Sequence, residues 1–541
     1  MFKTISILFF LLFSLTLYAD NYLYWIQLNT KTDTPYSLSQ PEYYLSERAL
    51  ERRARHGIEP DSTDLPVNPL FTDSLKQLGF EIKHTSRWMN GAIAYLPSEI
   101  DIDSVFKPSF VDKYELRKGS ILKSTSEKFS APDTLIDQTY GQAFRQIEML
   151  NGQVVHEYSR GKGVHVAIID AGFSNVNVLP AFDSLFTYDR ILGTFDFVNP
   201  LGDVYKEHAH GTMVLSVLAA NLPGQMLGVA PDASYWLLRS EDARTEWPIE
   251  EDYWIIAAEF ADSAGCDVIN TSLGYSTFDN PEFNHPYDLY DGNTLRISRA
   301  ANKAVDKGMI VVCSAGNSGN SAWRHIVAPS EAEKVLCVAA VNANGYISSF
   351  SSRGFSEPDA LPKPDLAAMG QEVTIVTQTG NIAKSNGTSF SSPLIAGMAA
   401  CMAGIFPEKP GAEIMQIIRQ IGNSFPAHSS EYGYGIPNFI SLPEIIKNHT
   451  GDPNSSNNSI CHDSNFSVYP NPFTTSLIVN SANNNSTFYI RKLNGNTIYS
   501  QELKASKTEI MLPQISVMPA GFYIATIHSD KEIHSFKLIK L

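Results

Sequence analysis

The sequence predicts a three-layer α/β domain with a mostly parallel sheet, preceded by a small α+β block and followed by a small β-sandwich. Two features of the chain carry this prediction. Between about residues 140 and 440, short, wholly apolar runs ending in small residues alternate with helical periods, as parallel strands covered on both faces require. Polar stretches, rich in Ser and Lys at Gly119–Asp133 and in Asn, Ser, Asp and Pro at His449–Ser464, separate that texture from its flanks. A length of 541 residues, 43% hydrophobic and 18% charged, leaves room for one large core and smaller domains. The 57 acidic and 41 basic residues give a net charge of -16, which repels a polyanion and argues against nucleic acid as a partner. Cys266, Cys313, Cys337, Cys401 and Cys461 are spread widely and form no C-x-x-C pair, so disulfides do not organise the fold.

The elements follow in order. Lys3, an apolar run from Ile5 to Leu17 and the small residue Ala19 before Asp20 form an export signal over residues 1–19, cleaved near Ala19. The run is shorter than the ~20 residues that a membrane-spanning anchor needs. Residues 20–118 read as α+β: a strand at Tyr22–Leu28, a charged helix over Leu45–His56, an amphipathic segment after Asp73 and a strand at Ala92–Leu96. Residues 119–139 form an exposed linker open to cutting. In residues 140–447 the strands are 164–170, 267–270, 309–317 and 334–341, and the helices Gly211–Asn221, Pro248–Ala264, Leu295–Lys307 and Phe390–Phe406. A second linker spans 448–464. Turn signals at Asn471-Pro472, Asn494-Gly495 and Ala520-Gly521 divide residues 465–541 into short antiparallel strands.

Three segments carry chemistry. Asp170 ends a buried strand, where open α/β sheets place reacting groups. His210 starts the helix HGTMVLSVLAA, and Ser389, in NGTSFSSPLIAG, also stands at a helix start, with Pro393 taken to lie in the first turn. A serine is a poor nucleophile without a base in reach and a carboxylate that orients that base. Taken singly, Asp170 reads as a turn residue, His210 as a packed or capping histidine and Ser389 as an N-cap.

Together with their neighbours, the three resemble the motifs of the subtilisin-like serine peptidases. The chain order Asp, His, Ser and the signatures IIDAGF, HGTMV and GTSFSSP are similar to that family's, as is SAGNSG at 314–319. The resemblance covers about Tyr140–Asn438. It implies a subtilisin-like fold and a secreted endopeptidase in which Ser389 attacks, His210 moves the proton and Asp170 orients it. It also implies that Asn317 donates to the oxyanion, and that NTSLGY brings Ser272, Leu273 and Gly274 to the substrate as a strand edge. The backbone N–H of Ser389 is the expected second oxyanion donor.

The flanks are read through the same resemblance. Residues 20–118 occupy the place of a propeptide, implying an intramolecular inhibitor; composition alone leaves a permanent interaction domain open. VYPNPF, GFYIATI and a Lys-containing tail resemble type IX secretion sorting domains, implying an outer-membrane secretion machinery as partner. Location is then secreted or cell-surface, by way of the periplasm. No organic cofactor is expected. Relatives bind structural calcium, but Asp203, Glu207, Asp279, Asp288 and Asp291 form no defined calcium loop, so no calcium is assigned.

Rival motifs fail. GTSFS lacks the last Gly of G-x-S-x-G, and HEYSR lacks a second His. His208 and His210 have no acidic or Cys partner at metal-ligand spacing. Cys313 and Cys337 are expected as free, buried thiols, a disulfide between neighbouring strands being the alternative. A catalytically silent binding module with this fold stays open as the competing function.

Overall fold

The computed structural model describes residues 22–96, 106–119, 139–355 and 361–450, and the strands at 466–469, 476–481, 486–492, 497–504, 507–511, 521–528 and 533–540. The expected export signal and most of both linkers lie outside these residues. The chain forms two compact units, one running to Ile445 and the other from Ile446.

The first unit opens with a four-stranded antiparallel sheet in the order Glu81–Ser86, Gly91–Leu96, Tyr22–Leu28, Val111–Lys118. Tyr22–Leu28 is the strand the sequence predicts. The charged run becomes a helix, Glu47–Arg55, whose first turn is closed by Ser46 Oγ accepting from Ala49 N–H at 3.2 Å. The amphipathic helix starts at Pro69, ahead of Asp73, because Asn68 caps it and proline is pre-set for the first helical position. Glu81–Ser86 and Val111–Lys118 are rich in charge and half exposed, so the apolar alternation that reveals a strand is weak in both.

The large sheet has seven strands in the order Leu366–Met369, Leu336–Val341, Ile310–Ser314, Val268–Thr271, His165–Asp170, Ser234–Arg239, Ile191–Asp196, and all six pairings are parallel. The helices His210–Ala219 and Thr388–Ile405 pack on each other and on the sheet; Ile249–Ser263 and Arg296–Asp306 do the same. These are the three expected layers. Thr388–Ile405 is apolar and long enough to cross a bilayer by composition, but it is mostly buried against the central strands. Strand order reverses beside the first strand, His165–Asp170, and that is where α/β sheets open a crevice at the carboxyl ends of their strands.

The N-terminal sheet packs on helix Ile249–Ser263, and buried charge ties the N-terminal region to the same helix. Asp262, 0% exposed, receives Arg52, Arg53 and Arg87, each at 2.6 Å. Arg53 also holds Asp64 at 2.9 Å, and Lys307 reaches Asp64 at 2.7 Å. Glu259 accepts from Ser86 Oγ and from the Arg87 and Trp88 amides. Arg117 pairs with Glu251 and Asp252.

The second unit contains a three-stranded antiparallel sheet, ordered Phe466–Tyr469, Ser476–Ser481, Lys507–Met511. A four-stranded one is ordered Thr497–Leu503, Ser486–Lys492, Gly521–His528, Ile533–Lys540. Phe488, Ile490, Ala525 and Ile527 are buried.

Candidate active site

Asp170 is the last residue of its strand and fully buried. Its Oδ1 lies 2.8 Å from His210 Nδ1 and accepts the Ala171 amide at 2.7 Å; Oδ2 is buried without a donor. Burial pulls the His210 pKa down, but the charge and hydrogen bond of Asp170, with a further contribution from Glu241, more than offset it. The imidazole is held above its ordinary value. His210 N–H donates to His208 Nδ1 at 3.3 Å, so His208 faces backbone rather than sharing a ligand site with His210.

Ser389 is the second residue of helix Thr388–Ile405. Pro393 is therefore the sixth, beyond the first turn expected for it. A proline there cannot donate to the carbonyl four residues back, and that carbonyl belongs to Ser389. Ser272 Oγ donates to it instead, at 2.9 Å, so a side chain from another strand end repairs the helix. Asn270 Nδ2 in turn donates to Ser272 Oγ at 3.2 Å. The Ser389 hydroxyl donates to Ser272 O at 3.2 Å. Ser389 and His210 thus share one cleft of about 310 Å³, with the hydroxyl turned toward the strand edge.

Asn317 follows the strand Ile310–Ser314, and its Oδ1 accepts from Thr388 N–H at 2.9 Å and Thr388 Oγ1 at 3.1 Å. It supplies the cap that Gly387 lacks, and leaves Nδ2 as the donor end of the amide. Gly387 has φ +149°, where a side chain would be strained. Ser272, Leu273 and Gly274 line the same cleft.

The sequence reading missed an acidic wall. Glu241 and Glu246 line the cleft, and with Glu250 they bring carboxylate oxygens within 4.8 Å of one another. Burial, eased by the Tyr275 hydroxyl at 2.7 Å and reinforced by the charge of Asp170, raises Glu241 to about 7. Burial and then the charge of Glu241 raise Glu246 to about 9. The signal was present, since Glu241, Asp242, Glu246, Glu250, Glu251 and Asp252 crowd one stretch. The strand Ser234–Arg239 that aims them at the cleft went unread. Of the acids weighed for calcium, Asp203 and Asp291 accept from nearby backbone amides, Glu207 pairs with Arg239, and Asp279 accepts the Glu246 amide. The structure does not bring them together.

Comparison with known proteins agrees with the motifs. A profile of the subtilase family matches residues 161–435. The chain belongs to the subtilase family. Residues 23–134 match the peptidase S8 propeptide domain of Bacteroidota, and residues 467–541 match a secretion system C-terminal sorting domain. Subtilisin E of Bacillus subtilis is 28% identical over 375 residues, 68% of this chain and 84% of its own length. Subtilisin DY of Bacillus licheniformis is 30% identical over 287 residues, 52% of this chain and 90% of its own. The solved structure of MycP1 from the ESX-1 type VII secretion system aligns at a TM-score of 0.44 and 22% identity, covering 58% of this chain and 89% of its own. This subtilase is a serine endopeptidase with a propeptide and a sorting domain, secreted or held at the cell surface after export through the periplasm.

Proposed function

We propose that peptide hydrolysis runs through an acyl-enzyme on Ser389. His210 takes the hydroxyl proton and returns it to the leaving amine, and Asp170 holds the tautomer that leaves Nε2 free to accept. Asn317 Nδ2 and the Ser389 N–H, one of the donors a helix start leaves without an intrahelical partner, receive the oxyanion. The observation that carries this reading is the 2.8 Å contact of Asp170 with His210 in the cleft that also holds Ser389. For attack, the Ser389 hydroxyl rotates from Ser272 O toward His210, a tightening expected when substrate arrives. Substrate backbone lies along Ser272, Leu273 and Gly274. The chemistry needs no organic cofactor, and no calcium is assigned.

The proposed division of the chain is signal 1–19, propeptide 20–118, linker 119–139, peptidase 140–447, linker 448–464 and sorting domain 465–541. The propeptide is the chain's own inhibitor until it is cut away, and the outer-membrane secretion machinery reads the sorting domain. Separate incubations of the purified, processed protein with casein and with a serine-directed phosphonate test the mechanism. Cleavage with label on Ser389 is expected; an intact substrate and unlabelled Ser389 would favour a silent binding module.

A further inference from the structure

We infer that Val327 makes the side-chain slot beside the scissile carbonyl shallow, so that this enzyme cuts after small residues: glycine, alanine or serine. The inference rests on the reading of Ser389 as nucleophile and Ser272–Gly274 as the substrate edge, and adds the substrate class.

An extended peptide alternates its side chains to either side. With its backbone on Ser272–Gly274 and its carbonyl at Ser389, the residue being cut projects between two chain segments. One follows the strand Val268–Thr271 and ends in Gly274; the other follows Ile310–Ser314 and holds Gly316. The two strands are parallel neighbours, with Thr271 in register with Cys313. Both walls are bare at these glycines, and Val327 is the side chain that meets both; Ser352 Oγ adds a contact at Gly316 alone, 2.9 Å from a methyl group built there. A methyl group built on Gly274 would meet Val327 Cγ2 at 2.1 Å, and one built on Gly316 would meet the same atom at 3.0 Å. Val327 therefore touches both walls at once.

It is also held in place. Its neighbour Ala328 is tied to Tyr275 by two backbone hydrogen bonds, of 2.8 and 3.1 Å, and its own carbonyl accepts the Ser330 amide at 2.8 Å. Val327 is 5% exposed, and its β-branch restricts rotation. An aromatic or long aliphatic substrate side chain could enter only by displacing a valine whose backbone is pinned, and overpacking of that kind is costly.

The test is a peptide series differing only in the residue that donates the scissile carbonyl, Ala, Phe or Lys, with kcat and KM measured separately on the processed enzyme. Ala is expected to exceed Phe in kcat/KM by at least about tenfold, the scale at which apolar pockets discriminate by size. Val327→Gly, and the milder Val327→Ala, should raise the Phe to Ala ratio in that order, mainly through KM, with phosphonate labelling of Ser389 showing that each variant is folded. A wild-type preference for Phe overturns the inference, as does a ratio that neither substitution moves. A preference for Lys also overturns it and gives specificity to Glu241 and Glu246. If no peptide is cut and Ser389 stays unlabelled, the peptidase mechanism falls along with it; cleavage with the wrong preference sinks only the slot.

Discussion

Helix Ile249–Ser263 keeps its buried carboxylates in two opposite ways, as Glu250 and Asp262 show. At its start, Glu250 joins Glu241 and Glu246 beside the cleft, and no ion pair to these three is found among the described residues; burial drives all three toward the protonated form. At its far end, Asp262 is equally buried but takes three arginines from the propeptide region. Buried acids survive either by neutralisation or by pairing. The carboxylates of the first solution all come from the peptidase region. The second lasts only while the N-terminal region is attached, so the contrast separates what the working enzyme keeps from what the precursor borrows.

Four substitutions probe that separation. Ser389→Ala should cut casein hydrolysis by at least about 10³-fold, yet leave thermal stability within about 1 kcal/mol. The backbone carbonyl that Ser272 holds is untouched by the change. Asp262→Ala should do the reverse. It strands buried arginines and should destabilise the precursor by about 3–5 kcal/mol, read by denaturant melts, while the processed enzyme, already without those arginines, changes little. Equal losses in both forms would erase the distinction drawn here. Asn317→Ala should lower kcat by roughly 10²–10³-fold with a smaller change in KM. That range was measured on an oxyanion asparagine of subtilisin, so it is borrowed from a relative.

The smallest effect concerns pH. A base works only when neutral, and His210 is held above its ordinary pKa by Asp170 and Glu241; activity therefore rises with pH through that raised value. Glu241→Gln removes one source of the elevation, so the acid limb of kcat/KM should move to lower pH. An unmoved limb would show that the cleft's acids act independently of the base.

Much of this was legible in the sequence, for physical reasons that also explain the gaps. The central strands His165–Asp170, Val268–Thr271, Ile310–Ser314 and Leu336–Val341 are covered on both faces, so their composition is nearly all apolar and they stand out. The strands that escaped notice lack that mark. Ile191–Asp196 is a half-exposed edge interrupted by Gly193, and Leu366–Met369, though apolar and buried, is only four residues of Leu, Ala and Met with no β-branched or aromatic side chain to mark a strand. The positions of Asp170, His210 and Ser389 were readable because each sits at the end of an element, and ends announce themselves through caps and small residues. Val327 and Glu241 were not, since their place in the cleft depends on which strands are neighbours, and pairing is long-range information.

The helix that carries Ser389 cannot complete its own first turns, because proline removes the donor that the serine's carbonyl needs. Ser272 completes it from the segment proposed to hold the substrate backbone. The two residues are thereby laced together twice, the Ser272 hydroxyl on the Ser389 carbonyl at 2.9 Å and the Ser389 hydroxyl on the Ser272 carbonyl at 3.2 Å, so the proposed nucleophile and the proposed substrate edge are positioned as one piece.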